Sequence, residues 1–347
     1  MKIAVLAHLK FPIAQPYAGG LERHTHGLVQ GLQRRGHAVS LYAAEGSDPN
    51  LSPVSMCAPT GPHGDDPAVN ARLDAIEEEA YGRMMDAVVA GGYDIVHANC
   101  LHDLPFRDNA RIEAPMLSVL HVPPYEPFAG SLTAAPRIRV IAVSPQLAEI
   151  WHRLPQRIEI VPNGIDLDVF APPAERRADE PPFAFWSGRI SPEKGLHLSI
   201  DAARLAGIEL VFAGPRWDDP YWHEEIVPRL GPGVRDLGHL REAALVEQLG
   251  RAEVVIVSPR WEEPFGLVVP EALACGAPIA AFARGAVPVL LDETSGVLAK
   301  PDDVADLARA IGDARTLDRA ACRARAERYG IKPMLDAYEA LYREMLS

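Results

Sequence analysis

Residues 170–195, FAPPAERRADEPPFAFWSGRISPEKG, decide how this chain is read. The first half of the stretch, residues 170–182, packs four prolines and several charges into thirteen positions without any periodicity, which is the composition of a linker. The second half changes character at once. Phe183-Ala184-Phe185-Trp186 is an apolar run of strand length, Ser187-Gly188 marks a turn, and a helical pattern starts at Gly195 and continues to residue 206. A strand that runs into a helix directly after a linker means that a strand–helix alternation begins anew here.

The same alternation has already run once upstream. Residues 2–7 form an apolar strand, followed by a Pro-rich loop, the pair Gly19-Gly20, and a helix over 21–35 that ends at Gly36. Strands are expected at 39–43, 94–97, 116–121, 139–143 and 158–161, separated by helical or Pro-rich pieces. Downstream of the linker, strands at 209–213, 254–257 and 278–282 alternate with helices at 242–250, 270–275, 304–314 and 317–329, and a last amphipathic helix covers 331–346. Strands that are apolar throughout suit a parallel sheet covered on both faces. The alternation makes the class α/β, with two doubly wound, Rossmann-like parallel-sheet halves at 1–168 and 169–330. Ligands bind beyond the carboxyl ends of such strands, so two facing halves are expected to enclose an interdomain cleft.

Composition narrows the function. A length of 347 residues suggests two domains, and 48% hydrophobic with 23% charged residues is globular composition. The 34 Lys and Arg against 47 Asp and Glu give a net charge of −13. Nucleic-acid binding and strong membrane association are both disfavoured, because each needs a basic face. Cys57, Cys100, Cys275 and Cys322 lie far apart and form no CxxC pair, which reads as reduced thiols. The apolar run 3–7 is too short for a signal segment, and no later run reaches membrane-spanning length, so a soluble cytoplasmic protein is expected.

Three segments carry chemistry. Gly19-Gly20 opens a helix, where free N–H groups favour an anionic or hydroxyl-rich ligand; a plain flexible turn is the competing reading. In Gly188-Arg189-Ile190-Ser191-Pro192-Glu193-Lys194-Gly195, Arg189 offers a planar fork and Lys194 a point charge at a strand's carboxyl end. Together they can neutralise a leaving diphosphate with no metal and no cofactor. Glu263-Pro264-Phe265-Gly266-Leu267-Val268-Val269-Pro270-Glu271 sets two carboxylates eight apart across a turn, with Pro270 expected at the first helical position and Glu271 in the first turn. Glu271 there is either a ligand-binding group or a residue favoured by the helix dipole. His121 and His97 each end a strand, which suits a catalytic group or a packed core histidine. His24 and His26 are two apart and share no helix face, so a metal pair is not expected.

Glu263…Glu271, the Arg189…Lys194-Gly195 loop, Pro162-Asn163-Gly164-Ile165-Asp166 and Gly19-Gly20-Leu21-Glu22 together resemble family 4 of the retaining glycosyltransferases, which adopt the two-Rossmann-domain fold called GT-B. The likeness spans nearly the whole chain in the family's order. It implies a nucleotide-sugar donor, with UDP-glucose the first expectation, bound by the C-terminal half, and a soluble small-molecule acceptor on the N-terminal side. Arg189 and Lys194 would hold the diphosphate and Glu271 the ribose. Glu263 and the Phe265, Gly266, Leu267 and Val268 backbone would meet sugar and phosphate. His121 would stand beside the transferred sugar, Gly20 would approach the phosphate, and the segment 331–347 would cross back to the N-terminal half. One departure is Val289, where the family often has glutamate.

Rival readings are fewer. A nucleotide-dependent oxidoreductase needs a GxGxxG turn, which neither half contains. A non-catalytic sugar-nucleotide binder could dispense with Glu263 and His121. A sugar-nucleotide epimerase or phosphorylase on the same fold remains open on spacing alone.

Overall fold

The computed structural model describes residues 1–173 and 181–347, so most of the 170–182 linker lies outside the described residues. The chain divides into two compact units: Met1–Gly164 with Ile331–Ser347, and Ile165–Gly330.

The first unit is built on seven strands: β1 (Lys2–Ala7), β2 (Ala38–Ala43), β3 (Pro53–Ser55), β4 (Ile95–Asn99), β5 (Met116–Leu120), β6 (Arg139–Ala142) and β7 (Ile158–Ile160). Their order is β3-β2-β1-β4-β5-β6-β7, and every pairing is parallel. The second unit holds β8 (Phe183–Ser187), β9 (Glu209–Ala213), β10 (Val234–Asp236), β11 (Val254–Val257), β12 (Ile279–Phe282) and β13 (Gly296–Ala299), in the parallel order β10-β9-β8-β11-β12-β13. Both sheets therefore reverse direction of winding next to their first strand, between β1 and β4 and between β8 and β11. Such a switch point leaves a crevice at the carboxyl ends, where the chain departs to opposite faces.

Burial explains why these runs are strands. Positions 3–7 of β1 and all of β4, β5, β11 and β12 are buried, as strands sandwiched between helices must be. The core of the second unit packs Trp186, Phe212 and Phe282 against Leu196 and Ile200 of the helix Leu196–Leu205 and Leu307 and Ile311 of the helix Val304–Ala314. The last helix, Ile331–Met345, buries Met334, Leu335, Tyr338, Leu341 and Tyr342 within the first unit.

Several expectations shift in detail. β3, β10 and β13 were not foreseen; each is only three or four residues long, and most of their residues are partly exposed. The helix expected at 270–275 runs Val268–Ala274, which puts Pro270 at its third position and not its first. Proline is tolerated there because the first four helical N–H groups have no intrahelical partner. The expected helix 317–329 is a shorter one, Arg319–Ala326, capped by Asp318 and followed by a single 3-10 turn. The helix Pro67–Gly91, the longest of the described residues, starts where the Asp66 carboxylate caps Ala68 and Val69.

Gly195 fixes the junction between the loop after β8 and its helix. Its φ is +68°, and a Cβ there would stand 2.2 Å from the Ser258 carbonyl oxygen. Gly195→Ala is expected to cost more than ~2 kcal/mol, since left-handed strain and a backbone clash add. A chemical-denaturation midpoint indistinguishable from wild type would contradict this.

Candidate functional site

In the second unit the residues singled out from the sequence come from the two strands flanking the switch point. Gly188 and Arg189 follow β8, and residues 258–263 follow β11. The two segments are stitched together. Ser258, buried at the end of β11, accepts from the Trp186 indole, lies 2.7 Å from Ser199 Oγ, and has its Oγ within 3.1 Å of the carbonyls of Lys194 and Gly195. The Arg260 amide donates to the Glu193 carbonyl at 2.7 Å. Gly188 in turn is clasped from β9, because a Cβ on Gly214 would lie 1.7 Å from its carbonyl oxygen.

On this frame Lys194 Nζ donates to Glu263 Oε2 at 2.6 Å. The same oxygen accepts the Trp261 indole N–H at 2.9 Å, and the Lys194 ammonium sits 4.9 Å from the centre of the Trp261 ring. Arg189 lies 3.7 Å from Glu193 and 4.9 Å from the centre of the Trp217 ring. The sequence suggested two cations open to a ligand; the structure gives each a carboxylate and an aromatic face. The Glu263 backbone is held as well: its carbonyl accepts from Ala286, and Gly285, at φ +53°, approaches so closely that a Cβ would lie 2.2 Å from the Glu263 nitrogen. Phe265 and Leu267 are buried, Gly266 takes φ +85°, and Val268 starts the helix. Glu271 is buried one turn into that helix, with its amide bonded to the Leu267 carbonyl. Val289, the position that departs from the family's usual glutamate, has an exposed side chain, while its carbonyl accepts from Arg325 and Tyr329.

In the first unit the switch point gathers imidazoles. His8 follows β1 and lies 2.9 Å from Glu22 in the first turn of the helix Gly20–Arg34. Gly19, at the mouth of that helix, is extended, with φ −167°, so its lack of a side chain matters through space: a Cβ would meet Glu22 Oε2 at 3.2 Å. His121, the first residue past β5, donates through Nε2 to Asn99 Oδ1 at 3.2 Å, and its ring lies 4.9 Å from that of His24. His97 reaches the same Asn99 oxygen at 3.1 Å. His26, as its spacing implied, points elsewhere and pairs with Asp48 at 2.9 Å. Burial pushes His24 down to about 4 and His97 to about 3, the latter helped by the neighbouring His24. His121 keeps some exposure, yet desolvation of its ring, then His24, His97 and His8, hold it well below the ordinary histidine range.

Asn99, Ser258 and Trp261 were not singled out from the sequence. Asn99 and Ser258 sit at strand ends beside the switch points, a signal visible only once strand order is known. Among the described residues a carboxylate–histidine group, Glu78, His102 and Asp103, is bridged by Arg107, which ion-pairs with both carboxylates at 2.8 Å. The four cysteines are free. No described helix is long and apolar enough to cross a membrane.

Two family models match consecutive parts of the chain, "Glycosyltransferase Family 4" over residues 18–169 and "Glycosyl transferases group 1" over residues 170–332. The chain belongs to glycosyltransferase family 4 and is a hexosyltransferase of the GT-B fold. D-inositol 3-phosphate glycosyltransferase of Mycobacteroides abscessus is 38% identical over 48% of this chain, a match that spans 41% of that protein's own length. Its namesake in Mycolicibacterium smegmatis is 27% identical over 100% of this chain and 92% of the relative. Among solved structures, sucrose-phosphate synthase from Thermosynechococcus elongatus superposes with a TM-score of 0.83 at 22% identity, covering 99% of both chains. Anabaena HepE, solved with UDP and glucose, gives 0.78 at 20% identity over 99% of this chain and 100% of its own.

The neutral imidazoles make the protein acid-sensitive. His24 returns to about 6.5 on unfolding, so below that pH the unfolded chain binds a proton that the fold refuses. This stabilisation is complete above about 6.5 and drains away as pH falls toward 4, to an extent of ~3 kcal/mol for His24 alone. Melting temperatures between pH 7.5 and 4.5 should therefore fall less steeply in His24→Phe than in wild type, and equal slopes would contradict the assignment.

Proposed function

We propose that this enzyme is a retaining transferase that moves a hexose, glucose first among candidates, from a nucleotide diphosphate sugar to a soluble small-molecule acceptor. The observation that carries this reading is the Lys194–Glu263 pair at the β8/β11 switch point, flanked by Arg189 and by Glu271 eight residues on. On this reading the second unit is the donor side and the first the acceptor side, with His121 beside the sugar. UDP is favoured because HepE, of like fold, was solved with UDP and glucose.

The electrostatics support the assignment. With no diphosphate present, Lys194 and Glu263 neutralise each other. A diphosphate brings more negative charge than one carboxylate and draws Lys194 and Arg189 to itself, as a bidentate fork and a point charge. Glu263 is then released to accept sugar hydroxyls, still anchored by the Trp261 indole. Arg189, Lys194 and the helix start at Val268 stabilise the departing diphosphate by positive charge alone, so the mechanism needs no metal. The transition state is oxocarbenium-like. Attack comes from the leaving-group face, and a leaving phosphate oxygen takes the acceptor's proton, so no separate general base is needed. Gly20 and Glu271 would meet the phosphate and the ribose, and the Phe265, Gly266, Leu267 and Val268 backbone would line the donor.

A neutral, sugar-like acceptor is favoured over an anionic one. Residues 1–165 carry 13 Lys and Arg against 17 Asp and Glu. Near the end of β1, Lys10 is bound to Glu77 at 3.1 Å, so this cationic position already faces a carboxylate. The inositol phosphate named for the bacterial relatives shares the polyol ring with such an acceptor.

Two experiments test the reading. Lys194→Ala and Glu263→Ala are each expected to lower kcat by ~100-fold or more while circular dichroism stays that of the wild type. Near-wild-type transfer by both variants would sink the donor-site assignment. In a thermal-shift panel of UDP-, GDP-, ADP- and TDP-sugars, a UDP-sugar should raise the melting temperature most. A panel with no shift at all would remove the premise of a nucleotide-sugar donor.

A further inference from the structure

A chain of buried hydrogen bonds links the last helix to His121. Asn99 Oδ1 lies 3.1 Å from His97 Nε2 and 3.2 Å from His121 Nε2. A carboxamide oxygen only accepts, so both imidazoles must carry their proton on Nε2. The Asn99 amide group points the other way, with Nδ2 donating to Thr25 Oγ1 at 3.4 Å, which keeps the carbonyl turned to the two rings. His97 is fully buried and neutral, so its Nδ1 is a bare lone pair. The Tyr342 hydroxyl, 2.6 Å away and itself fully buried, donates into it. The Tyr338 ring meets His97 edge-on at 4.9 Å and closes the other side. His121 obeys the same accounting: neutral, protonated on Nε2, and left with a lone pair on Nδ1.

We propose that Asn99, braced by Tyr342 through His97, is a positioning residue that locks His121 in the Nε2–H tautomer and so makes its Nδ1 an acceptor for a hydroxyl of the substrate. The proposal rests on the reading that His121 stands beside the transferred sugar. It goes beyond that reading in two ways. It assigns the sense of the hydrogen bond: His121 Nδ1 accepts a hydrogen bond from a sugar hydroxyl and does not donate one to the leaving phosphate. It also makes a residue 245 positions from His97, on the final helix, part of the machinery that aims the site.

The test is spectroscopic first and kinetic second, on the full-length protein. With 15N-labelled histidine, two-bond proton–nitrogen correlations should show Nε2–H and bare Nδ1 at both His97 and His121, assigned through His97→Gln and His121→Gln. Tyr342→Phe, which keeps the ring packing, should mix the His97 tautomers and, through Asn99, those of His121. Asn99→Ala should mix His121 directly and lower kcat by ~10-fold or more with donor KM nearly unchanged. Asn99→Asp keeps the acceptor and should restore both the tautomer and most of the rate. A His121 protonated on Nδ1 in the wild type, or an Asn99→Ala variant that keeps both the tautomer and the rate, would overturn the proposal. If instead the tautomers follow Asn99 as stated but His121→Ala transfers at the wild-type rate, it is the placement of His121 beside the sugar that fails, and the positioning role falls with it.

Discussion

The 2.6 Å ion pair between Lys194 and Glu263 constrains everything around it in the second unit. Both side chains are largely withdrawn from water, so stripping either of its partner leaves a poorly solvated charge, which costs several times what an exposed pair is worth. The fold is organised to hold the two residues at that separation even though they stand 69 positions apart in the chain. Ser258 pins the Lys194 loop to the end of β11, Gly195 turns that loop into its helix through a conformation other residues resist, and Gly285 presses on the Glu263 backbone. A ligand that takes Lys194 must supply equal or greater negative charge. The pair is thus a brace that a neutral molecule cannot undo by charge alone.

The two units use one topology for opposite electrostatic ends. At the β8/β11 switch point the side chains are ionised and half-buried, with guanidinium, ammonium and carboxylates balanced against each other. At the β1/β4 switch point the rings of His24, His97 and His121 are desolvated enough to stay neutral. One end pairs opposite charges, and the other offers neutral rings that hydrogen-bond without a charge of their own. The same crevice geometry supports both because a parallel sheet specifies only where a loop leaves it, and leaves the chemistry of the loop free.

How legible this was depends on the distance over which each feature is encoded. The long central strands and the Gly188–Gly195 loop are local signals, apolar runs punctuated by glycine, and they appear where the sequence places them. β3, β10 and β13 are short edge or near-edge strands whose residues are mostly half-exposed, so no apolar run announces them. The helix at Val268 begins before Pro270 because proline's fixed φ suits any of the first few helical positions, and the motif alone does not say which. The pairing of Lys194 with Glu263, of His121 with Asn99 and of His97 with Tyr342 is invisible in any short window. Such contacts follow from strand order, and a residue like Asn99 gains its meaning only when β4 and β5 are seen to lie side by side.

Long-range contacts likewise assign the final helix to the first unit although the second unit precedes it in the chain. Its docking surface is prepared by small residues: a Cβ at Gly31 would come within 2.5 Å of Leu335, and one at Gly27 within 3.0 Å of Ile331. Around that close contact Arg35 reaches Asp336 and Glu339, and His37 holds a Glu339 carboxylate below its usual range through a 2.9 Å hydrogen bond. The helix then buries Tyr338 and Tyr342 against His97, a core imidazole that would otherwise have a lone pair with no donor in a fully dry site. Hydrophobic burial and hydrogen-bond satisfaction therefore make the same demand. A first unit without this helix would expose the flank of its own switch point, so the chain has to return to it after completing the second unit.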